Sequence, residues 1–107
     1  MQKSKCYSVA VVADAGDIAD AGAIDMREYD GALLFIPSGS SITSLTWYAS
    51  YDGSTYSALN GSDNSAVTQT VAAAKAVHIH PACNVAALLK VVGDAAGTIT
   101  VCTKRLG

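Results

Sequence analysis

The chain carries little charge, and its charges are unevenly placed. Only 15% of its 107 residues are charged, seven basic against nine acidic, which gives a net charge of −2. Lys3, Lys5, Lys104 and Arg105 lie at the two ends, and residues 28–74 contain no lysine or arginine. Nucleic-acid binding needs clustered cations that neutralise phosphates and release counterions. The composition therefore predicts a protein that does not bind nucleic acid.

Long apolar runs are also missing. No run approaches the roughly 18 residues that indicate a membrane-spanning helix. The opening residues, MQKSKCYSVAVVADAGD, pass from lysines to acids without the apolar stretch of a secretory leader. We therefore expect a protein that is made in the cytoplasm and has no membrane partner.

The three cysteines are too few and too widely spaced for a zinc site or a disulfide framework. Cys6 and Cys102 fall in the first and last predicted strands, so they would be neighbours if the terminal strands pair. Because a cytosol keeps thiols reduced, the sequence predicts three free thiols, with Cys83 as the third.

Signatures of catalysis and cofactor binding are absent. The chain has no G-x-S-x-G nucleophile elbow, no P-loop and no dinucleotide fingerprint. Cys83 follows His80 by three residues, but Pro81 intervenes and no orienting acid is evident. We therefore predict no enzyme, no catalytic residue and no cofactor.

Two groups of residues deserve comparison with metal sites. His78 and His80 are two apart on a predicted strand, which would direct both imidazoles to one face, with Cys83 or a carboxylate as a third ligand. Surface histidines that simply titrate near neutral pH explain the pair equally well. Residues 14–25 hold four aspartates that could bind Ca²⁺, but their spacing is not that of an EF-hand. The prediction is no metal site.

Strand signals dominate what remains, since half of the residues are apolar and many alternate with polar ones. Residues 72–80 permit a helix through their alanines, yet the VHIH segment favours a strand that Pro81 ends. Seven or eight short strands, with turns about every ten residues, indicate a single all-β domain over residues 1–107, an antiparallel β-sandwich or small barrel. The predicted strands are 6–13, a short one near 23–26, 32–37, 42–51, 67–71, 76–80, 85–92 and 98–104. Alternation in the first of them places Tyr7, Val9 and Val11 on one face.

The segment WYASYDGSTYSAL (47–59) reads as a β-hairpin around an Asp-Gly pair. A two-residue or a four-residue loop gives the same division of faces. The predicted core face holds Trp47, Ala49, Tyr51, Tyr56 and Ala58. Tyr48 stands among hydroxyls on the other face, as the one ring placed to bind a ligand.

Residues 42–104 resemble small β-sandwich virion proteins of bacteriophages, often discoidin- or jelly-roll-like. The matching positions are Trp47, Ser50, Asp52, Gly53, Tyr56, residues 67–73, and the run Leu89, Lys90 and Val91. The resemblance implies a jelly-roll-like sandwich and a structural role in the virion. The first expectation is a capsid decoration (cement) protein that binds the major capsid protein on the outer shell. The alternative is a tail- or fibre-associated carbohydrate-binding module.

Composition and this resemblance together predict self-association. The runs ALLFIP (32–37) and VAALLKVV (85–92) indicate strands buried on both faces, which one thin sandwich does not need. A charge-poor surface opposes close packing only weakly, and a symmetric oligomer multiplies weak contacts. We expect a homo-oligomer, a trimer first and a dimer second.

Overall fold

The computed structural model describes residues 3–105, with side chains described for residues 5–104 other than Val85. The described residues include two 3₁₀ helices, Ala15–Asp20 and Pro81–Val85. The strands of this part of the chain are β1 (Lys3–Val11), β2 (Ile24–Asp25), β3 (Gly31–Phe35), β4 (Ser44–Ser50), β5 (Ser57–Ala58), β6 (Thr68–Thr70), β7 (Ala76–His78), β8 (Leu88–Gly93) and β9 (Gly97–Arg105). Within it no helix is long and apolar enough to cross a membrane.

The strands form two antiparallel sheets. Sheet A has the order β1-β9-β3-β7, and sheet B has the order β2-β8-β4-β5, with β6 also paired to β4. Apart from β4 to β6, consecutive strands lie in opposite sheets. The predicted antiparallel β-sandwich is confirmed. The described residues contain nine strands, and the one beyond the expected eight is the two-residue β5, which forms the second arm of the hairpin.

Alternation along the long strands builds the core between the sheets. Val9 and Val11 of β1 point inward together, as the sequence predicted, and Leu34 of β3 meets them from the same sheet. Sheet B contributes the largest buried side chain, Trp47, which is fully buried. Because successive side chains point to opposite faces, every second residue of these strands leaves the core and forms an outer face.

Gln69 of β6 joins the two sheets beside this core. Its Oε1 accepts hydrogen bonds from Trp47 Nε1 and from the backbone N–H of His80, both at 3.1 Å. Its Nε2 donates to the carbonyl of His78. The indole N–H is thus buried with a partner, as a polar group in a core requires.

The terminal strands pair, and this overturns the prediction for the cysteines. β1 and β9 run antiparallel along nine residues, with Cys6 directly opposite Cys102. These two residues form a disulfide bond, and Cys83 is the free cysteine. The prediction of three free thiols is therefore wrong for this structure. It rested on the redox compartment, whereas strand register brings the two Cβ atoms within about 5 Å of each other.

The predicted hairpin exists, but neither predicted register is correct. Tyr48 lies opposite Ala58 and Ala49 opposite Ser57, which leaves a six-residue connection, 51–56. The observed pairing lies one residue from both expected pairings. A one-residue slip moves every side chain of a strand to its other face.

The connection is longer because side chains organise it. The Asp52 carboxylate accepts the N–H groups of Ser54 at 3.0 Å and Thr55 at 3.1 Å. Ser50 Oγ accepts the N–H of Gly53 at 2.9 Å. Of the Asp-Gly pair, Gly53 alone has a positive φ, of 83°, so the turn is not the type I′ turn that the pair favours.

The register decides which predicted core residues are buried. Trp47 is fully buried and Ala49 packs against the core, so these two predictions are confirmed. Tyr51 is 90% exposed and Ala58 is exposed, while Tyr56 lies on the outer face of sheet B. The predicted core positions were wrong for these three residues. Pairing with β8 fixes the faces of β4, and the hairpin partner then follows in its own register.

Strand β7 and its neighbours agree with the sequence. Ala76–His78 is a strand and not a helix, and a 3₁₀ helix begins at Pro81. The aspartate-rich segment contains the short β2 (Ile24–Asp25), predicted near 23–26. Ala15–Asp20 of the same segment form the first 3₁₀ helix.

Candidate interaction surfaces

The described residues leave the outer face of sheet A open, and this face is mostly apolar or small. Leu33 and Phe35 of β3 are 42% and 41% exposed, although the run ALLFIP was predicted to be buried on both faces. That prediction was wrong because β3 alternates: Ala32 and Leu34 are buried between two exposed positions. Register places further side chains on the same face: Cys6, Ser8 and Ala10 of β1, Thr98, Thr100 and Cys102 of β9, and Ala76 and His78 of β7.

A shallow depression of about 310 Å³ lies at one end of this face. The residues that line it include Asp30, Gly31, Leu33, His78, Cys102 and Lys104. The absence of a side chain at Gly31 leaves room, since a Cβ there would lie 3.6 Å from His78 Nε2. The depression can accept an apolar side chain from a second protein surface.

The two histidines considered as a metal-binding pair make different local hydrogen bonds in the structure. His78 ends β7, and its Nδ1 contacts the carbonyl of Ile79. His80 caps the second 3₁₀ helix, where its Nδ1 accepts the N–H of Ala82 at 3.1 Å. Cys83, the suggested third ligand, is buried, and burial raises the pKa of its thiol to about 12. This thiol is therefore protonated at neutral pH and is a poor nucleophile or ligand.

The aspartates of residues 14–25 are used locally. Asp14 caps the first 3₁₀ helix by accepting the N–H of Gly16 at 2.9 Å. Asp25 pairs with Arg27 at 2.7 Å, and these hydrogen bonds lower the pKa of Asp25 to about 2. Across residues 3–105, where placement is described, no three His, Cys, Asp or Glu side chains are grouped to hold a metal ion.

The outer face of sheet B carries two tyrosines around one lysine. Tyr48 lies opposite Lys90, and the Lys90 ammonium stands 4.9 Å from the centre of the Tyr56 ring. The same ammonium donates to the carbonyls of Ile18 at 3.1 Å and Ala19 at 3.3 Å. Burial, and secondarily a nearby aspartate, raises the pKa of Tyr56. The chain's own 3₁₀ helix therefore partly covers this face, unlike that of sheet A.

Sequence reasoning selected Tyr48 as an outer-face residue, which is confirmed, and overlooked the exposure of Leu33 and Phe35. It allowed Cys6 and Cys102 to be neighbours but expected both thiols to be free, whereas they form a disulfide. An exposed apolar residue leaves no local signal, because a run of six apolar residues reads the same whether its second face is covered or open. The strand order supplies the difference, because it leaves Leu33 and Phe35 of β3 42% and 41% exposed.

The comparisons with known proteins bear on the fold. No family model matches the chain, and no curated protein matches it. A crystal structure of the SPBc2 prophage-derived protein YomS is similar to it, with a TM-score of 0.57. The similarity covers 97% of this chain and 95% of that chain at 10% sequence identity. The chain thus shares the fold of a phage-derived protein over almost its whole length.

Proposed function

We propose that this protein is a structural component of a bacteriophage virion, a decoration protein that binds the outer surface of the assembled capsid shell. The observation that carries the proposal is the similarity of the whole sandwich to a prophage-derived protein. The resemblance of residues 42–104 to small phage virion proteins points in the same direction. The protein reaches the virion after synthesis in the host cytoplasm, and its partner is the major capsid protein.

The surface chemistry suits such a role. Only 15% of the residues are charged, and a charge-poor surface binds proteins more readily than phosphates or ions. One such contact is weak. A homo-oligomer, trimeric or dimeric, that sits on a symmetry or quasi-symmetry axis of the shell would multiply it through effective concentration.

The proposal predicts where the chain lies in the particle. Cryo-electron microscopy of the virion encoded by the same genome should show sandwich-shaped density on the outer shell at such an axis. Shells from a deletion strain should lack this density and regain it when purified protein is added. Density confined to the tail, or absent from the particle, would exclude the decoration role.

A second candidate function is supported by a different observation, the pair of tyrosines on the outer face of sheet B. Tyr48 and Tyr56 flank Lys90, and exposed aromatic rings stack on sugar rings in carbohydrate-binding modules. The protein would then be a tail- or fibre-associated module that recognises a surface glycan of the host.

A glycan array separates the two functions. The decoration role predicts no specific glycan signal from the wild-type protein. Micromolar binding that falls at least about tenfold in Tyr48→Ala, a loss of roughly 1.4 kcal/mol, would favour the carbohydrate-binding module. Tyr51→Ala is the matched control, because Tyr51 is exposed on the 51–56 connection, and it should leave any such binding unchanged.

A further inference from the structure

We propose that the outer face of sheet A packs against the same face of a second copy of this chain, forming a two-fold symmetric dimer. The inference deepens the oligomer part of the proposed function and rests on it, but it does not depend on binding to a shell. An identical chain covers the face, and the central contacts are made by Leu33 and Phe35 of each copy.

Charge is the first reason for a second copy. A two-fold axis brings identical surfaces together, so any net charge at the centre of the face would repel itself. Across the outer face of sheet A, among the side chains that the structure describes, the titratable groups are His78 on β7 and Lys104 near the end of β9, and Asp30 lines the same depression at that end of the face. Sheet B differs, because Lys90 stands in the middle of its outer face.

The position of Lys104 then favours one direction of the two-fold axis relative to the strands. A two-fold axis that lies in the interface and runs across the strands reverses the strand direction of the second copy. The two Lys104 side chains then lie at opposite ends of the interface, far from each other. The same operation keeps β3 over β3 and sets Leu33 of each copy against Phe35 of the other. Both apolar side chains are thereby covered by one reciprocal contact.

Area is the second reason, and it also limits the affinity. Four strands spaced about 4.8 Å apart, with lengths of about 10 to 30 Å, give a face on the order of 400 Å² per copy. Two copies bury on the order of 800 Å², which is in the range of weak or transient interfaces. This area suits a dimer with a dissociation constant in the micromolar range, which a capsid lattice could reinforce.

The geometry also bears on the number of copies. One flat face that packs on itself is satisfied after two copies, since a face-to-face contact of this kind is isologous and closed. A trimer needs two different surfaces on each chain. The face therefore favours the dimer, which the sequence had placed second to the trimer.

Sedimentation velocity of the purified wild-type protein, from low micromolar to millimolar concentration, tests the inference. We expect the mass to rise from one chain toward two. Phe35→Asp should raise the dissociation constant by more than about a hundredfold, because the symmetry places the new charge in the interface twice. Leu33→Asp should do the same. Tyr51→Asp, an equally non-conservative change at an exposed residue outside the face, should leave dimerisation unchanged.

Circular dichroism and the melting temperature of each variant at monomeric concentration establish that it folds. If neither aspartate variant folds, the conservative Phe35→Ser takes its place, with at least a tenfold weakening expected. A wild-type protein that stays monomeric at millimolar concentration, that forms a trimer, or that responds equally to Tyr51→Asp would overturn the inference. The measurement uses this chain alone, so failure of shell binding would leave it standing.

Discussion

Removal of the disulfide between the terminal strands is expected to be among the most damaging changes to this fold. Cys6 and Cys102 are separated by 96 positions, so their bond closes almost the entire chain. In the chain-entropy account, closing a loop of about 100 residues stabilises a protein by roughly 4 to 5 kcal/mol. For a domain of this size, this corresponds to a fall in melting temperature of roughly 15 to 30 °C.

The measurement compares thermal unfolding of the wild-type protein with and without reductant, next to the double variant Cys6→Ser and Cys102→Ser. The double substitution leaves no unpaired thiol on the outer face. Reductant should lower the melting temperature of the wild-type protein to that of the variant and should not affect the variant. Thiol titration of protein denatured without reductant should find one free thiol, Cys83. Three free thiols, or reductant-insensitive unfolding of the wild-type protein, would contradict the prediction.

Truncation of the buried tryptophan is expected to be similarly damaging. Trp47 is fully buried between the sheets. Trp47→Ala should lower the free energy of unfolding by about 3 to 5 kcal/mol, because the lost burial is compounded by a cavity. This is a large share of the roughly 5 to 15 kcal/mol that stabilises a typical domain. The midpoint of urea unfolding, followed by circular dichroism, measures the loss.

Two further variants test the physical explanation for Trp47. Trp47→Phe keeps an aromatic ring and removes the indole N–H, while Gln69 Oε1 retains its hydrogen bond from His80. A smaller loss of about 1 to 2 kcal/mol is expected, mainly from reduced volume. Tyr51→Ala, at a 90% exposed position, should change stability by less than about 0.5 kcal/mol. Equal losses in Trp47→Ala and Tyr51→Ala would show that burial does not distinguish the two rings.

The different exposures of Trp47 and Tyr51 show that the local sequence pattern does not by itself predict which side chains are buried. They lie four positions apart in one predicted strand, and strict alternation gives them the same face. Trp47 is in the core because β4 pairs with β8 on one side and with β5 and β6 on the other. The strand ends at Ser50, where Asp52 and its hydrogen bonds turn the chain, so Tyr51 leaves the sheet before alternation can bury it.

The candidate interaction surfaces show the same difference between what the local sequence predicts and what the tertiary structure decides. Tyr48 could be assigned to an outer face from the hydroxyl residues around it, since that signal is local. Leu33 and Phe35 could not, because their exposure depends on what lies beyond β3, and this is a property of strand order. Their apolar character is evident in the sequence, while the open face that makes them available to a partner is a result of the fold.

The sequence by itself determined the all-β class, the approximate position of most strands, the inward set of Val9 and Val11, and the strand before Pro81. Each of these follows from side-chain periodicity or turn chemistry within a few residues. The tertiary structure alone decided the hairpin register, the meeting of Cys6 with Cys102, and the uncovered face of sheet A. These depend on which strands become neighbours and in what register, and that choice is made by core packing between residues far apart in the chain.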